Sequence, residues 1–375
     1  MNVSEEITSN SLQQLATNLK VWGQDLGFQE LGITDTNLDA HKGLFLKWLA
    51  NHYHGEMQWM ASNTSKRLQP QKLVPQTIRV ISARMNYLPA ESKQITTLKN
   101  FDKAYISRYA LGRDYHKLIR KRLALLAKKI ADDFQQIQDR SEMIVQRPFV
   151  DSAPVLEKAF AEKAGLGWIG KNTLLLNRHA GSWFFLGEIY TNIPLPVDNK
   201  TQENRCGDCS ACLKICPTDA FVGPYQLDAS RCISYLTIEL KGPIPEVFRE
   251  AIGNRVFGCD DCQIICPWNK FAQTSDESDF RPRHKLQDSK LVELFLWSEE
   301  EYLRYTQGSA IRRIGYERWL RNLAIGLGNA DSSPQTISAL KSRENFPSEL
   351  VREHVDWAIR QQQKVNYRRR RKIKR

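Results

Sequence analysis

Apolar residues recur at helical spacing near the start of the chain. In SLQQLATNLKVWGQDLG (residues 11–27), Leu12, Leu15, Leu19 and Trp22 share one face and Gly27 stops the run, which predicts a helix. FQELGIT then reads as a strand, and a second helix is expected over residues 38–52. TIRVISARMNYLP is a β-rich run closed by Pro89. RDYHKLIRKRLALLAKKIADDF predicts a helix with apolar spacing at Leu118, Leu125 and Ile130. EMIVQRPFVD predicts a strand ending at Asp151, and APVLEKAFAEKAG a helix with Pro154 in its first turn. GLGWIGKNTLLL and GSWFFLGEIYTNI add a Gly-rich turn and two strands. Strands thus alternate with helices to about residue 200, the pattern of an α/β or α+β domain.

From 201 to about 270 the text turns to Cys, Asp and Pro, and from about 287 it becomes helical. Short helices with Gly, Asn, Asp and Pro at their joints suggest one or two HEAT-like units. The expected division is therefore residues 1–200, 201–270 and 287–363, followed by a basic tail, 364–375.

Composition narrows the class. The chain has 375 residues, 41% of them hydrophobic, and no run approaches a membrane span, so a soluble protein of two or three domains is expected. Its first residues are polar with early acids, unlike a signal or transit peptide. A reducing, cytoplasmic setting follows, in which clustered cysteines point to metal or redox chemistry rather than disulfides. The net charge is +12, and RRRRKIKR at the end carries seven cations and no acid. A basic body with a cationic tail suits a polyanionic partner, although such a tail is as often merely solvated.

The cysteines carry the strongest signal. Cys206, Cys209, Cys212 and Cys216-Pro217 have the C-x2-C-x2-C-x3-C-P spacing of bacterial ferredoxins. Cys232 and then Cys259, Cys262 and Cys266-Pro267 make a second set. In two-cluster ferredoxins the fourth cysteine of a run ligates the other cluster. That logic assigns Cys206, Cys209, Cys212 and Cys266 to a first [4Fe–4S] cluster, and Cys216, Cys232, Cys259 and Cys262 to a second. Zinc sites pair two CxxC units across a spacer, a different pattern. Two adjacent clusters form an electron wire, and the domain before them should hold the acceptor.

The usual acceptor signatures are absent. Gly165, Gly167 and Gly170 in GLGWIG have G-x-G-x-x-G spacing, but they follow a helical run, so a helix C-cap and turn fits better than a dinucleotide site. Asp114–His116 (DYH) looks like the start of a D-x-H-x-x-G cobalamin motif, yet position 119 is Ile.

The whole arrangement resembles the epoxyqueuosine reductases, which are cobalamin- and iron–sulfur-dependent enzymes of tRNA modification. The resemblance rests on RYALGRDYHKLIRKRL, RPFVDSAPVLEKAFAEKAGLGWIGKNTLLL, GSWFFLGEIYT, both cysteine runs, CISYLTIELKGPIP and RRIGYERWLRNLAIGLGN, in order along nearly the full chain. It implies an N-terminal domain holding base-off cobalamin without a protein histidine ligand, and reduction of the epoxide of epoxyqueuosine at the tRNA wobble position. It implies Asp151, in VDSAP, as proton donor; the competing role for Asp151 or Ser152 is to cap the helix begun at Pro154. It further implies cobalamin contacts at Arg67, Asp151, Lys171, Asn172, Ser182, Ser234, Cys259 and Asp260, and a tRNA contact at Lys241. Arg312, Arg313, Arg318 and Arg321 read only as a solvated basic face. The expected partners are the anticodon stem-loop and a low-potential electron donor, with the protein a monomer. Reductive dehalogenases resemble the core but carry an export signal. A bare ferredoxin-type carrier leaves the first 200 residues unexplained, and a nucleic-acid-binding protein with structural clusters leaves the second cluster unexplained.

Overall fold

The computed structural model describes residues 3–137, 143–198 and 202–373, with side chains described from residue 9 to 364 within those spans. The side chains of the basic tail beyond residue 364 lie outside the described residues. The centre of the N-terminal part is a four-stranded sheet of β1 (Glu30–Thr34), β2 (Arg79–Asn86), β3 (Gln146–Phe149) and β4 (Phe184–Thr191). Its order is β1-β2-β4-β3, and every neighbouring pair is antiparallel. Alternation of strand and helix in sequence leaves strand direction open; the observed directions make the domain α+β.

The period of two along β2 and β4 sorts the two faces. Ile81, Ala83, Met85, Phe185 and Ile189 face α1 (Val3–Asp25) and α2 (Tyr115–Ile137), packing on Leu15, Leu19, Ile119 and Leu123. Val80 and Tyr190 face the other way, onto Phe160 of α3 (Glu157–Lys163). In α2 the inward stripe is Ile119, Leu123, Leu126 and Ile130, while Leu125 is 45% exposed. At about 100° per residue Leu118 and Leu125 both lie more than about 100° from the line of that stripe, Leu118 partly buried at its edge and Leu125 outside it.

The helix expected from Pro154 begins three residues later, and residues 150–156 form an irregular loop. Gly165 closes α3 at φ 78°, with its N–H on the Glu162 carbonyl and the Leu166 N–H on the Ala161 carbonyl. That pair of bonds is a Schellman cap, which accounts for the first glycine of GLGWIG.

The cysteine region does not fold apart from its neighbours. Tyr105–Ile106 pairs in parallel with Arg255–Phe257. Ile233, Leu236 and Phe257 share one core with Leu291, Trp319, Leu323 and Trp357, which belong to the C-terminal helices. Those helices include α4 (Gly315–Asn329), α5 (Pro334–Lys341) and α6 (Glu349–Ile373). No helix is long and apolar enough to cross a membrane among the described residues.

Two substitutions in α2 separate the stripes. Leu123→Ala should cost about 2–5 kcal/mol, as a buried leucine does, and Leu125→Ala should stay within about 0.5 kcal/mol. Denaturant midpoints with matched slopes measure both.

Candidate active site and cysteine centres

The eight cysteines gather as two groups. Cys206, Cys209, Cys212 and Cys266 line one cavity of about 330 Å³, walled on one side by Lys171 and Asn172. The last cysteine of the second run therefore joins three of the first, the crossed arrangement expected from the spacing. Burial, and the neighbouring sulfurs of Cys212, Cys206 and Cys209, push the Cys266 thiol up. Lys171 Nζ donates to the Gly207 and Cys209 carbonyls at 2.5 and 3.1 Å, and Asn172 Nδ2 to the Cys262 carbonyl at 3.2 Å. Both residues thus hold the cysteine loops from the N-terminal side.

Cys216, Cys232, Cys259 and Cys262 form the other group. Burial raises the thiols of Cys232, Cys259 and Cys262, and each feels at least one other sulfur of this set. Cys232 precedes the helix Ile233–Ile238, and the N–H groups of Tyr235 and Ser234 favour its thiolate. Ala220 N–H donates to Cys216 Sγ at 3.3 Å. Thiols this buried ionise readily only beside a cationic centre, so the donor set suits iron–sulfur ligation.

The second feature is the floor built around Asp151. This residue follows β3 and takes φ 52°, a left-handed conformation uncommon outside glycine. Its N–H donates to Glu157 Oε1 at 2.6 Å, while Tyr115 OH donates to Asp151 Oδ2. His116 Nε2 stands 3.8 Å from the same oxygen, and His116 Nδ1 is 2.6 Å from Asp114 Oδ1. Arg313 closes the ring by donating to Asp114 Oδ2 at 3.2 Å. Burial would raise Asp114, but hydrogen bonds from His116 and the Arg313 charge hold it down at about 2.

Asp151 is different. Half of its side-chain surface is open. Loss of hydration nonetheless raises its carboxyl, with Asp114 adding to the effect and Arg313 and Lys158 opposing it. Lys158 is likewise exposed, yet loss of hydration lowers its ammonium. Asp151 and Lys158 are thus open to solvent at a point crowded by protein atoms, which disfavours the charged form of each. The capping role is excluded, because α3 starts at Glu157 after Leu156 and no side chain caps it.

Aromatic rings join the floor to the cysteines. Tyr115 stacks on Phe185 at 3.8 Å. Tyr109 meets Tyr115 edge-on at 6.2 Å and lies 6.2 Å from Phe257, two residues before Cys259.

The remaining sequence candidates are distributed as follows. Arg67 is buried, donates to the Trp59 carbonyl at 2.9 Å, and leaves its Nε without a partner. Ser182 is committed to Gln263 and Asn269. Ser234 sits beside Cys232. The Asp260 carboxylate accepts from Tyr105, Ser107 and the Arg108 N–H, so it is spent on protein contacts. Lys241 is exposed on a loop whose Leu240 and Gly242 carbonyls are held by Arg321. Arg321 itself is 0% exposed, and burial lowers its guanidinium to about 9. The solvated basic face is therefore corrected: Arg321 is a core strut, Arg318 holds the Ile238 and Ile314 carbonyls, and Arg313 belongs to the acid site.

Tyr115, His116, Glu157, Glu188 and Arg313 are site residues the sequence reading missed. Glu188 left a signal: in FFLGEIYT it is a charged residue on the same strand face as Tyr190.

These two thiol sets beside an acid site define an iron–sulfur redox protein. Residues 205–269 match the family model described as a 4Fe–4S double cluster binding domain, and residues 67–152 match epoxyqueuosine reductase QueG, DUF1730. The epoxyqueuosine reductase of Pseudomonas aeruginosa is 61% identical over 347 residues, 92% of this chain and 94% of that protein. The Escherichia coli K12 enzyme is 56% identical over 351 residues, 94% and 90% of the two chains. The chain belongs to the epoxyqueuosine reductase family. A solved epoxyqueuosine reductase with an epoxyqueuosine-modified tRNA-Tyr stem loop is similar at TM-score 0.81 and 29% identity, covering 94% of this chain and 91% of that one. The Bacillus subtilis enzyme, solved with its catalytic aspartate loop swung out of the active site, matches at TM-score 0.82 and 28% identity, with the same coverage.

The anaerobically reconstituted protein should carry about eight irons and eight sulfides, as two cubane clusters require. Cys266→Ser should damage the first cluster and Cys216→Ser the second, seen as loss of separate reduced-state resonance signals.

Proposed function

We propose that this protein reduces the epoxide of epoxyqueuosine to the cyclopentene of queuosine at the wobble position of tRNAs for Asp, Asn, His and Tyr, the last step in making that base. The observation that carries the reading is the protonatable Asp151, joined through Tyr115, Tyr109 and Phe257 to the cysteine centres. A relative whose catalytic aspartate also sits on a loop supports it. The proposed setting is a cytoplasmic monomer fed by a low-potential donor, with the helical C-terminal region, HEAT-like in its sequence pattern, as scaffold.

The residues present fit cobalamin. Arg67 has a buried, partnerless Nε–H and lies within electrostatic reach of Glu157, next to the floor. Arg67 and Asp151 would face the corrin, with Lys171, Asn172, Ser182, Ser234, Cys259 and Asp260 shaping the cysteine side. Bound there, cobalamin supplies the low-potential reductant that C–O cleavage requires.

The chain's own contribution is binding, orientation and protons. Tyr115 aims the Asp151 carboxyl, and loss of hydration favours its protonated form, the form that can donate to an oxygen gaining negative charge. Lys241, exposed on its pinned loop, is placed to meet a phosphate. An anticodon base is reachable because single-stranded loops let it be splayed out.

Mass analysis of tRNA nucleosides from cells lacking the protein should reveal accumulated epoxyqueuosine; normal queuosine would sink the reading. In single-turnover reduction of epoxyqueuosine tRNA, Asp151→Asn should slow the reaction by roughly 10²–10⁴-fold. The wild-type rate should be full below the raised Asp151 pKa and fall as pH climbs through it, because only the protonated acid can donate. Lys241→Glu should weaken tRNA binding and shrink its salt slope by about one phosphate's worth, measured at two ionic strengths.

A further inference from the structure

We infer that Glu157 and Glu188 are positioning residues that fix Asp151 and restore its proton from the protein side. The inference rests on Asp151 being the acid, as proposed above.

Glu188 lies within β4, opposite Ser82 of β2 and Phe149 of β3. It is 0% exposed, and neither carboxyl oxygen receives a hydrogen bond from a donor; Ser82 Oγ and Tyr190 OH are buried nearby without partners too. What Glu188 does touch is another carboxyl, that of Glu157 at the start of α3, within hydrogen-bond reach. On its far side Glu157 accepts the Asp151 N–H and contacts the Asp151 carboxyl. Glu188 shares its strand face with Tyr190, on which Phe160 of α3 packs, so Glu157, one turn before Phe160, lies between Glu188 and Asp151 and makes a row of three carboxyls from the sheet interior outward.

Carboxyls in contact cannot all be charged, and each contact needs a proton to be attractive. Burial raises Glu188 and Glu157 well above the carboxylate range; the Glu188 and Asp151 charges add to the rise at Glu157, and Asp151 adds to it at Glu188, where the Glu157 contact opposes it. The charged groups facing the row are unevenly placed. Lys158 and Arg313 face Asp151, with Asp114 and His116 behind, and Arg67 faces Glu157. Glu188 faces only carboxyls and the Tyr190 hydroxyl. An ionised Glu188 would be a buried charge without a partner, so the row is neutral at rest.

Opening the epoxide to an alkene and water takes two electrons and two protons. Asp151 gives the first proton to the epoxide oxygen. A proton then passes from Glu157 to Asp151 and from Glu188 to Glu157. Asp151 gives the second proton to the departing hydroxyl, which leaves as water. The Asp151 charge then faces Lys158 and Arg313, and the one remaining proton is shared between Glu157 and Glu188, whose single charge is held by that hydrogen bond and by Arg67. The row refills through the half-open Asp151 once product leaves. A site sealed by bound tRNA thereby needs no entering water during turnover.

The test uses the full-length protein loaded with clusters and cobalamin. Infrared difference spectra of wild type against Glu188→Gln at neutral pH should show a protonated-carboxyl band that the variant lacks and that moves in deuterium oxide. Single-turnover reduction by Glu188→Gln should slow on the order of tenfold, less than the roughly 10²–10⁴-fold worth of a direct proton donor because Asp151 still gives the first proton. Its rate should then rise with the concentration of a small buffer acid at constant pH, whereas the wild-type rate should not. Absence of the band in wild type, or a variant with normal and buffer-independent turnover, overturns the inference. Should Glu188→Gln fail to fold, Glu157→Gln and an infrared titration of wild type alone decide it in the same way. Near-normal turnover in Asp151→Asn removes the donor reading itself. An inactive Asp151→Asn beside an unaffected Glu188→Gln removes only the relay.

Discussion

The Asp260 carboxylate fixes the relation between the two halves of the site. It accepts from Tyr105 OH at 2.7 Å, Ser107 Oγ at 2.5 Å and the Arg108 N–H at 2.9 Å, all in a buried setting. Three donors on one buried carboxylate leave it little room to shift, since any lost bond would strand a desolvated charge. Asp260 lies between Cys259 and Cys262, and the donors belong to the segment that leads into Tyr109 and then Tyr115. One side chain therefore registers the cysteine loop against the residues that aim Asp151. The parallel pairing of Tyr105–Ile106 with Arg255–Phe257 repeats the same registration in backbone hydrogen bonds.

That registration matters because the two halves need opposite electrostatics. The thiols must ionise to hold iron, and the backbone N–H groups at Cys232 help them do so. In the reaction proposed above, Asp151 must hold a proton until it is used. The molecule separates the two demands by environment. Arg313 pairs with Asp114, which stays ionised, and its pull on Asp151 is outweighed by loss of hydration there. The same fold thus keeps one carboxyl at about 2 and its neighbour raised.

The cysteine partition was legible because ligand spacing is a local property: three residues fix three thiols around one cavity, and the cavity's fourth thiol, Cys266, follows from the crossing rule. Strand and helix existence was legible from apolar period. Strand direction was not, because it depends on how the chain returns between strands. In α2 the expected Ile130 is buried and Leu118 packs at the stripe's edge, whereas Leu125 is exposed because it lies more than about 100° round the helix from the line of Ile119, Leu123, Leu126 and Ile130. The acid site was legible in one residue only. Tyr115 and His116 reach Asp151 from α2, 36 and 35 positions away, and Arg313 arrives from a further 162 along the chain. No local pattern encodes such a meeting.

Arginine is where sequence and structure part most. RRIGYERWLRN reads as a charged surface, and Arg312 and Arg313 are exposed, but Arg318 is half-buried and Arg321 fully buried. Arg321 donates to the Leu236, Leu240 and Gly242 carbonyls from a fully buried position. A planar, five-donor head satisfies several carbonyls of an irregular loop at once, which no apolar residue does. Its burial lowers the guanidinium to about 9, yet that still leaves it charged near neutrality. The reward is a rigid loop that presents Lys241 outward. A cation buried beneath a loop thus sets the position of a cation on its surface. Net charge alone could not distinguish the two.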